Sequence, residues 1–215
     1  MTKQTKIFKR WELSPEITEQ LAAALEKGAV GVFPTDTVYG IGTGALAQKG
    51  IDEIYALKKR PKTAPLQIMT SSADRALDLA KFSQPALRLA RRFWPGALTL
   101  VLPPSDKSKD LARGFAGLGI RVPKYNLLEA LLDAMSTPMA MTSANLHGQP
   151  VWTQETPVVK AFDGKVDFIV LGGTLSPTAS SVVDCCGKQP VLLREGQILR
   201  SALEYTIEQD LSVKK

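Results

Sequence analysis

A chain of 215 residues, 44% apolar and 22% charged, has the composition of a globular protein large enough to bury a real core. Its net charge of +6 favours anionic partners such as nucleotides, RNA or acidic substrates, without choosing among them. A single histidine argues against a His-based hydrolase or a multi-histidine metal centre, and no apolar run approaches the ~18 residues of a membrane span.

The first thirteen residues are mixed and basic and read as a strand or arm, with no apolar segment of the signal-peptide kind. Ser14-Pro15-Glu16 predicts a helix start: a hydroxyl cap, proline at the first helical position and an acid in the first turn. Ile17, Leu21, Ala24 and Leu25 supply its apolar stripe, and Gly28 its stop. Residues 29–33 read as a buried strand that Pro34 ends. Thr35, Asp36 and Thr37 then fall at the strand's C-terminal end, where open α/β sheets place their ligands. Gly40, Gly42 and Gly44 alternate with larger residues in a second strand under close backbone contact. A phosphate loop is the weaker reading, because no GK[ST] follows.

Residues 49–57 are helical, with Ile51, Ile54 and Tyr55 on one face, and run into Lys58-Lys59-Arg60-Pro61-Lys62. This basic run is either a solvated helix end or an anion clamp. Further on, strands are expected at 65–69, 98–102, 118–122, 138–141, 166–171, 180–184 and 190–194, the last two joined by residues 186–189. Helices are expected at 72–81, 84–93, 127–135, 157–162 and 201–210. Residues 103–115 are polar and basic and read as a mobile rim. Arg121, on an apolar strand before Pro123, is either a paired core ion or an anion ligand. Adjacent Cys185 and Cys186 read as inert thiols in a reducing cytoplasm. Strand–helix alternation without a linker implies one three-layer α/β domain over residues 1–215, its core at about 14–200, with a mixed sheet.

No nucleophile stands beside a base, and no catalytic carboxylate pair is evident. Cations and hydroxyls dominate instead, which suits phosphoryl or nucleotidyl transfer by positioning and charge stabilisation. Arg60 and Lys58 have the donors a triphosphate needs, Ser143 and Asn145 sit on a polar turn after an apolar strand, and Thr35 and Thr37 suit a small polar substrate. Mg²⁺ would accompany such a nucleotide, held mainly by its phosphates, with no protein metal site.

Seven blocks in order carry a resemblance: PTDTVYG at 34–40, KKRP at 58–61, FWPGALT at 93–99, GIRVP at 119–123, TSAN at 142–145, SSVVD at 180–184 and LLREG at 192–196. Together they resemble the YrdC-like family of threonylcarbamoyl-AMP synthases, in its single-domain short form. The resemblance implies a twisted mixed sheet flanked by helices, with a basic concave cleft. It implies that L-threonine, bicarbonate and ATP yield threonylcarbamoyl-adenylate and pyrophosphate, for the modification of adenosine 37 in tRNA. By the same resemblance Lys58, Arg60, Ser143, Asn145 and Arg194 face ATP, while Thr35 or Thr37, Arg121 and Ser180 face threonine. Downstream tRNA threonylcarbamoyl-transfer proteins are implied as partners, with tRNA contact possible, no membrane, and a cytoplasmic setting. The competing reading is a non-catalytic RNA- or tRNA-binding module, supported by the positive charge. Met69 stands where many members carry histidine and has no hydrogen to donate; His147 and Val151 replace residues with small hydroxyls.

Overall fold

The structure is a computed structural model that describes residues 3–146, 148–176 and 178–208. Its strands are β1 (Lys6–Lys9), β2 (Gly31–Phe33), β3 (Gly40–Gly44), β4 (Gln67–Met69), β5 (Leu98–Leu102), β6 (Leu118–Arg121), β7 (Met139–Ser143), β8 (Phe168–Leu171), β9 (Ser181–Asp184) and β10 (Val191–Arg194). Its helices are α1 (Pro15–Glu26), α2 (Gln48–Lys58), α3 (Ala73–Leu79), α4 (Gln84–Phe93), α5 (Lys109–Ala112), α6 (Asn126–Ala134), α7 (Glu155–Phe162) and α8 (Arg200–Glu208). The strands form one sheet in the order β1-β8-β2-β3-β7-β4-β6-β5-β9-β10. Parallel pairs (β1/β8, β2/β8, β4/β6, β5/β9) mix with antiparallel ones, as the alternating sequence implied.

The pleat divides each strand's side chains between two cores. Val32, Ile41, Ile68, Ile120, Ala140 and Ile169 face one side, with Ile51 and Ile54 of α2, Leu89 of α4, Phe162 of α7 and Leu203 of α8. Phe33, Met69, Met139, Met141, Phe168 and Val170 face the other, with Leu21 and Leu25 of α1 and Leu128, Leu131 and Leu132 of α6. The sheet is thus sandwiched between two helical layers.

The starts of α1, α3 and α4 were legible because hydroxyls cap them. Ser14, Ser72 and Ser83 accept hydrogen bonds from the backbone N–H of Ile17, Arg75 and Ala86. The alternating glycines of β3 prove to be packing residues. A Cβ at Gly40 would lie 2.6 Å from Met141 Sδ, one at Gly42 2.8 Å from Met139 Sδ, and one at Gly44 2.8 Å from the Leu25 carbonyl oxygen.

The rim read as a loop at 103–115 is partly helical. A short 3-10 turn at Asp106–Ser108 leads into α5, whose Leu111 and Ala112 are buried. Ser105 fastens this segment to α3 by donating its N–H to the Leu79 carbonyl and its hydroxyl to that of Asp78. Two apolar residues at the end of a polar run are too few to produce a periodic signal. The two thiols also differ: Cys185 is buried and Cys186 exposed, both with pKa values pushed up by burial first. The end of the predicted 201–210 helix, like His147, lies outside the described residues.

Glu26, ending α1, joins that helix to the turn between α6 and β7. One carboxylate oxygen accepts from the amides of Ser136 (2.8 Å) and Thr137 (2.9 Å) and from both their hydroxyls (2.7 and 3.2 Å). The Ser136 hydroxyl foremost, with the two amides, holds this carboxyl below the ordinary glutamate value of 4.5 against the opposing pull of burial. A depressed folded value stabilises the fold above the unfolded value, and that stability is lost as pH falls through the folded one. Glu26→Ala should therefore lower stability at pH 7 by about 1–2 kcal/mol. In urea melts, the gap from the native protein should narrow as pH falls below the ordinary value of 4.5 and through the folded one.

Candidate active site

Two helices on the second face cannot cover ten strands. α1 and α6 pack over β2, β8, β7 and part of β4, and beyond them the face is open. Strand register shows which side chains stand there. Met69 lies beside Arg121, Gly119 beside Val101, and Thr99 beside Val182. These positions floor a cleft of about 300 Å³. Thr35, Thr37, Arg60, Ser143, Ser180 and Arg194 contribute to its walls.

Of the nine residues expected at a site, seven line this cleft: Thr35, Thr37, Arg60, Arg121, Ser143, Ser180 and Arg194. Lys58 and Asn145 stand behind it. Lys58, the last residue of α2, is 1% exposed. Its ammonium donates to the backbone carbonyls of both Ser143 and Asn145. Burial first, then the nearby Arg60 charge, brings its pKa from 10.5 to about 8. Asn145 accepts from the Ser143 hydroxyl and donates its amide to the Gln149 carbonyl. The lysine thus holds the polar turn from within.

Lys59 has a left-handed backbone (φ 50°) that ends α2 and turns Arg60 toward the cleft. Arg60 donates to the carbonyls of Ala64 (3.0 Å) and Pro65 (2.9 Å), which fixes its guanidinium along the rim. Across the cleft, Arg194 donates from Nε and Nη2 to the Ser180 carbonyl (3.0 and 2.9 Å) and from Nη2 to the Ser180 hydroxyl (3.2 Å). That hydroxyl also lies 3.1 Å from Thr99 Oγ1.

Arg121 is a paired core ion, and it also lines the cleft. It is 3% exposed and donates to Asp36 Oδ1 (2.6 Å), Thr37 Oγ1 (3.1 Å) and the Gly96 carbonyl (3.0 Å). Burial lowers its pKa and the Asp36 carboxylate opposes that shift. Thr35 closes the same turn, donating to the Val38 carbonyl (2.7 Å) and accepting the Thr37 N–H (3.0 Å).

Asp36, Gln67, Thr99 and Gly119 were not assigned to a site from the sequence, although Leu98-Thr99-Leu100 and Leu118-Gly119-Ile120 mark the inward and outward faces of β5 and β6. Among the described residues, no group of three or more His, Cys, Asp or Glu side chains is placed to hold a metal. No helix among them is long and apolar enough to cross a membrane.

Residues 23–196 match the Sua5/YciO/YrdC family model, described as telomere recombination. The threonylcarbamoyl-AMP synthase of Bacillus subtilis is 39% identical over 212 residues, which are 93% of this chain and 61% of that protein. The threonylcarbamoyl-AMP synthase of Vibrio campbellii is 30% identical over 182 residues, 83% of this chain and 98% of that one. The crystal structure of Pyrococcus abyssi Sua5 complexed with L-threonine has a TM-score of 0.86 and 33% identity, covering 94% of this chain and 60% of that one. The chain therefore spans about three fifths of the B. subtilis and P. abyssi proteins. Together with the ten-stranded mixed sheet, these matches establish that the chain belongs to the Sua5/YciO/YrdC family.

Proposed function

We propose that the chain has the activity of a threonylcarbamoyl-AMP synthase and works in the cytoplasm. The observation that carries this reading is the meeting of Arg60, Arg121 and Arg194 with the hydroxyls of Thr35, Thr37, Ser143 and Ser180 around one cleft. Such a site binds anions and orients them but offers no base beside a nucleophile. L-Threonine bound to a solved relative supports threonine as the amino acid.

The chemistry asks little more of the protein. The threonine amine takes up carbon dioxide from bicarbonate as a carbamate, with loss of water. A carbamate oxygen then attacks the α-phosphorus of ATP, the bond to the β-phosphate breaks, and pyrophosphate leaves. Both reactants are anions, so the protein must offset their repulsion and align them. Arg60 and Arg194 serve the nucleotide, with Ser143 on its turn. Arg121, Thr37 and Ser180 serve the threonine carboxylate and hydroxyl. Lys58 and Asn145 act by holding that turn. Mg²⁺ would be held mainly by the phosphates of the nucleotide, where it would offset their charge. The adenylate passes to tRNA through transfer proteins.

Three measurements test the assignment. Pyrophosphate release from ATP, Mg²⁺ and bicarbonate is expected to depend on L-threonine and to be lost in Lys58→Ala/Arg60→Ala. No release from folded protein, with RNA bound tightly and steeply weakened by salt, would instead favour the RNA-binding module. Release is also expected to decline through a titration centred near pH 8, as the Lys58 ammonium discharges and its bonds to the turn weaken. Stability should not fall in step. A lysine with a depressed folded value binds fewer protons folded than unfolded between about 8 and 10.5, so stability gains across that window. A flat activity profile up to pH 9.5 would count against the clamp.

Finally, a Cβ at Gly119 would meet only Thr99 Cγ2 at 3.6 Å and Gln67 Cγ at 4.0 Å, both ordinary contacts. Gly119→Leu should fill the cleft, reducing ligand affinity at least about tenfold. Its Tm should stay within about 3 °C of the native value.

A further inference from the structure

The three arginines of the cleft are not equivalent. Arg60 donates to the carbonyls of Ala64 and Pro65, and Arg194 to the carbonyl and hydroxyl of Ser180. Among the described residues neither meets a carboxylate, so both keep their full charge. Arg121 alone is neutralised: Asp36 Oδ1 lies 2.6 Å from its Nη2, with the two side chains 3% and 13% exposed. Asp36 does not line the cleft itself; it reaches the cleft through its bond to the Arg121 guanidinium. Its backbone carbonyl accepts from Gln197 Nε2 (3.2 Å), which ties its turn to the segment just after Arg194.

We propose that Asp36 is a specificity-determining and positioning residue: by cancelling the charge of Arg121, it reserves that guanidinium for a monocarboxylate and leaves the polyphosphate to Arg60 and Arg194. The proposal rests on the synthase reading, in which two anionic substrates share one cleft and must not exchange places. A polyphosphate is drawn to a cation in proportion to its several charges, and gains little from an ion pair. A carboxylate needs directed donors more than net charge. Arg121 still offers them. Of its five N–H groups, Nε, Nη1 and Nη2 each give one to the protein, leaving one on each of the two Nη atoms. Asp36 therefore repels the wrong ligand while its hydrogen bond, with those of Thr37 and Gly96, holds the guanidinium for the right one.

The test is calorimetric titration of L-threonine, with and without saturating inorganic tripolyphosphate, into the native protein and Asp36→Asn. Asparagine keeps an oxygen for Nη2 but not the charge. In the native protein, tripolyphosphate should change the apparent threonine affinity by less than about twofold; in Asp36→Asn it should weaken it at least about tenfold. Asp36→Glu should restore independence. A purely structural role would reduce both affinities without making the ligands compete.

Independent binding in a folded Asp36→Asn, or competition already present in the native protein, overturns the proposal. No threonine binding by the native protein overturns the synthase reading, and this inference with it. Should Asp36→Asn not fold, Asp36→Asn/Arg121→Gln carries the test. With both charges gone, tripolyphosphate should bind as it does to the native protein. A drop of about tenfold would make Arg121 part of the polyphosphate site and refute the idea.

Discussion

A buried ammonium joins the end of a helix to the end of a central strand, and the shape of the cleft follows from that junction. Lys58 is held by the carbonyls of Ser143, the last residue of β7, and of Asn145 just beyond it. An apolar residue there would leave two buried acceptors unsatisfied, each costing about 1–3 kcal/mol. The lysine satisfies both and fixes how closely the polar turn approaches Arg60, two residues farther along the chain.

The remainder of the site follows from incomplete coverage of a sheet. Both faces of a buried sheet must be covered by apolar side chains. Here the α1–α6 layer extends only part way along the second face. On the uncovered strands, positions that elsewhere carry Phe or Met hold Gln67, Thr99, Gly119 and Arg121 instead. Core and cleft share a surface, and Met69 and Met141 belong to both. Recognition is thereby built on rigid strands, with loops contributing the walls.

Much of this was legible in the sequence because local chemistry sets it. Serine caps, the breaks at Gly28 and Pro34, and runs of apolar residues marked the helices and strands to within a few residues. The basic run at 58–62 was legible as a cluster, but not in its division. Lys58 is buried, Lys59 turns the chain and Arg60 faces the cleft. That outcome depends on a turn 85 residues away, which no local pattern encodes. Asp36 went unassigned for the same reason: its meaning lies in Arg121. Thr99 and Gly119 were recoverable, since alternation along β5 and β6 assigns them to the face opposite Leu98, Leu100 and Ile120.

The glycines of β3 and the methionines of β7 fit one another across the sheet, and this match has a chemical consequence. Met139 and Met141 are 0% and 1% exposed, so the folded chain shields their sulfur atoms from oxidants. During synthesis or unfolding they have no such shelter. A sulfoxide is polar and bulkier than a thioether. Gly40 and Gly42 leave room for the thioether alone, in contacts that would not admit even a methyl group on the glycine. Oxidative damage to this protein should therefore be recorded in the nascent or denatured chain and expressed as a failure to close the centre of the sheet.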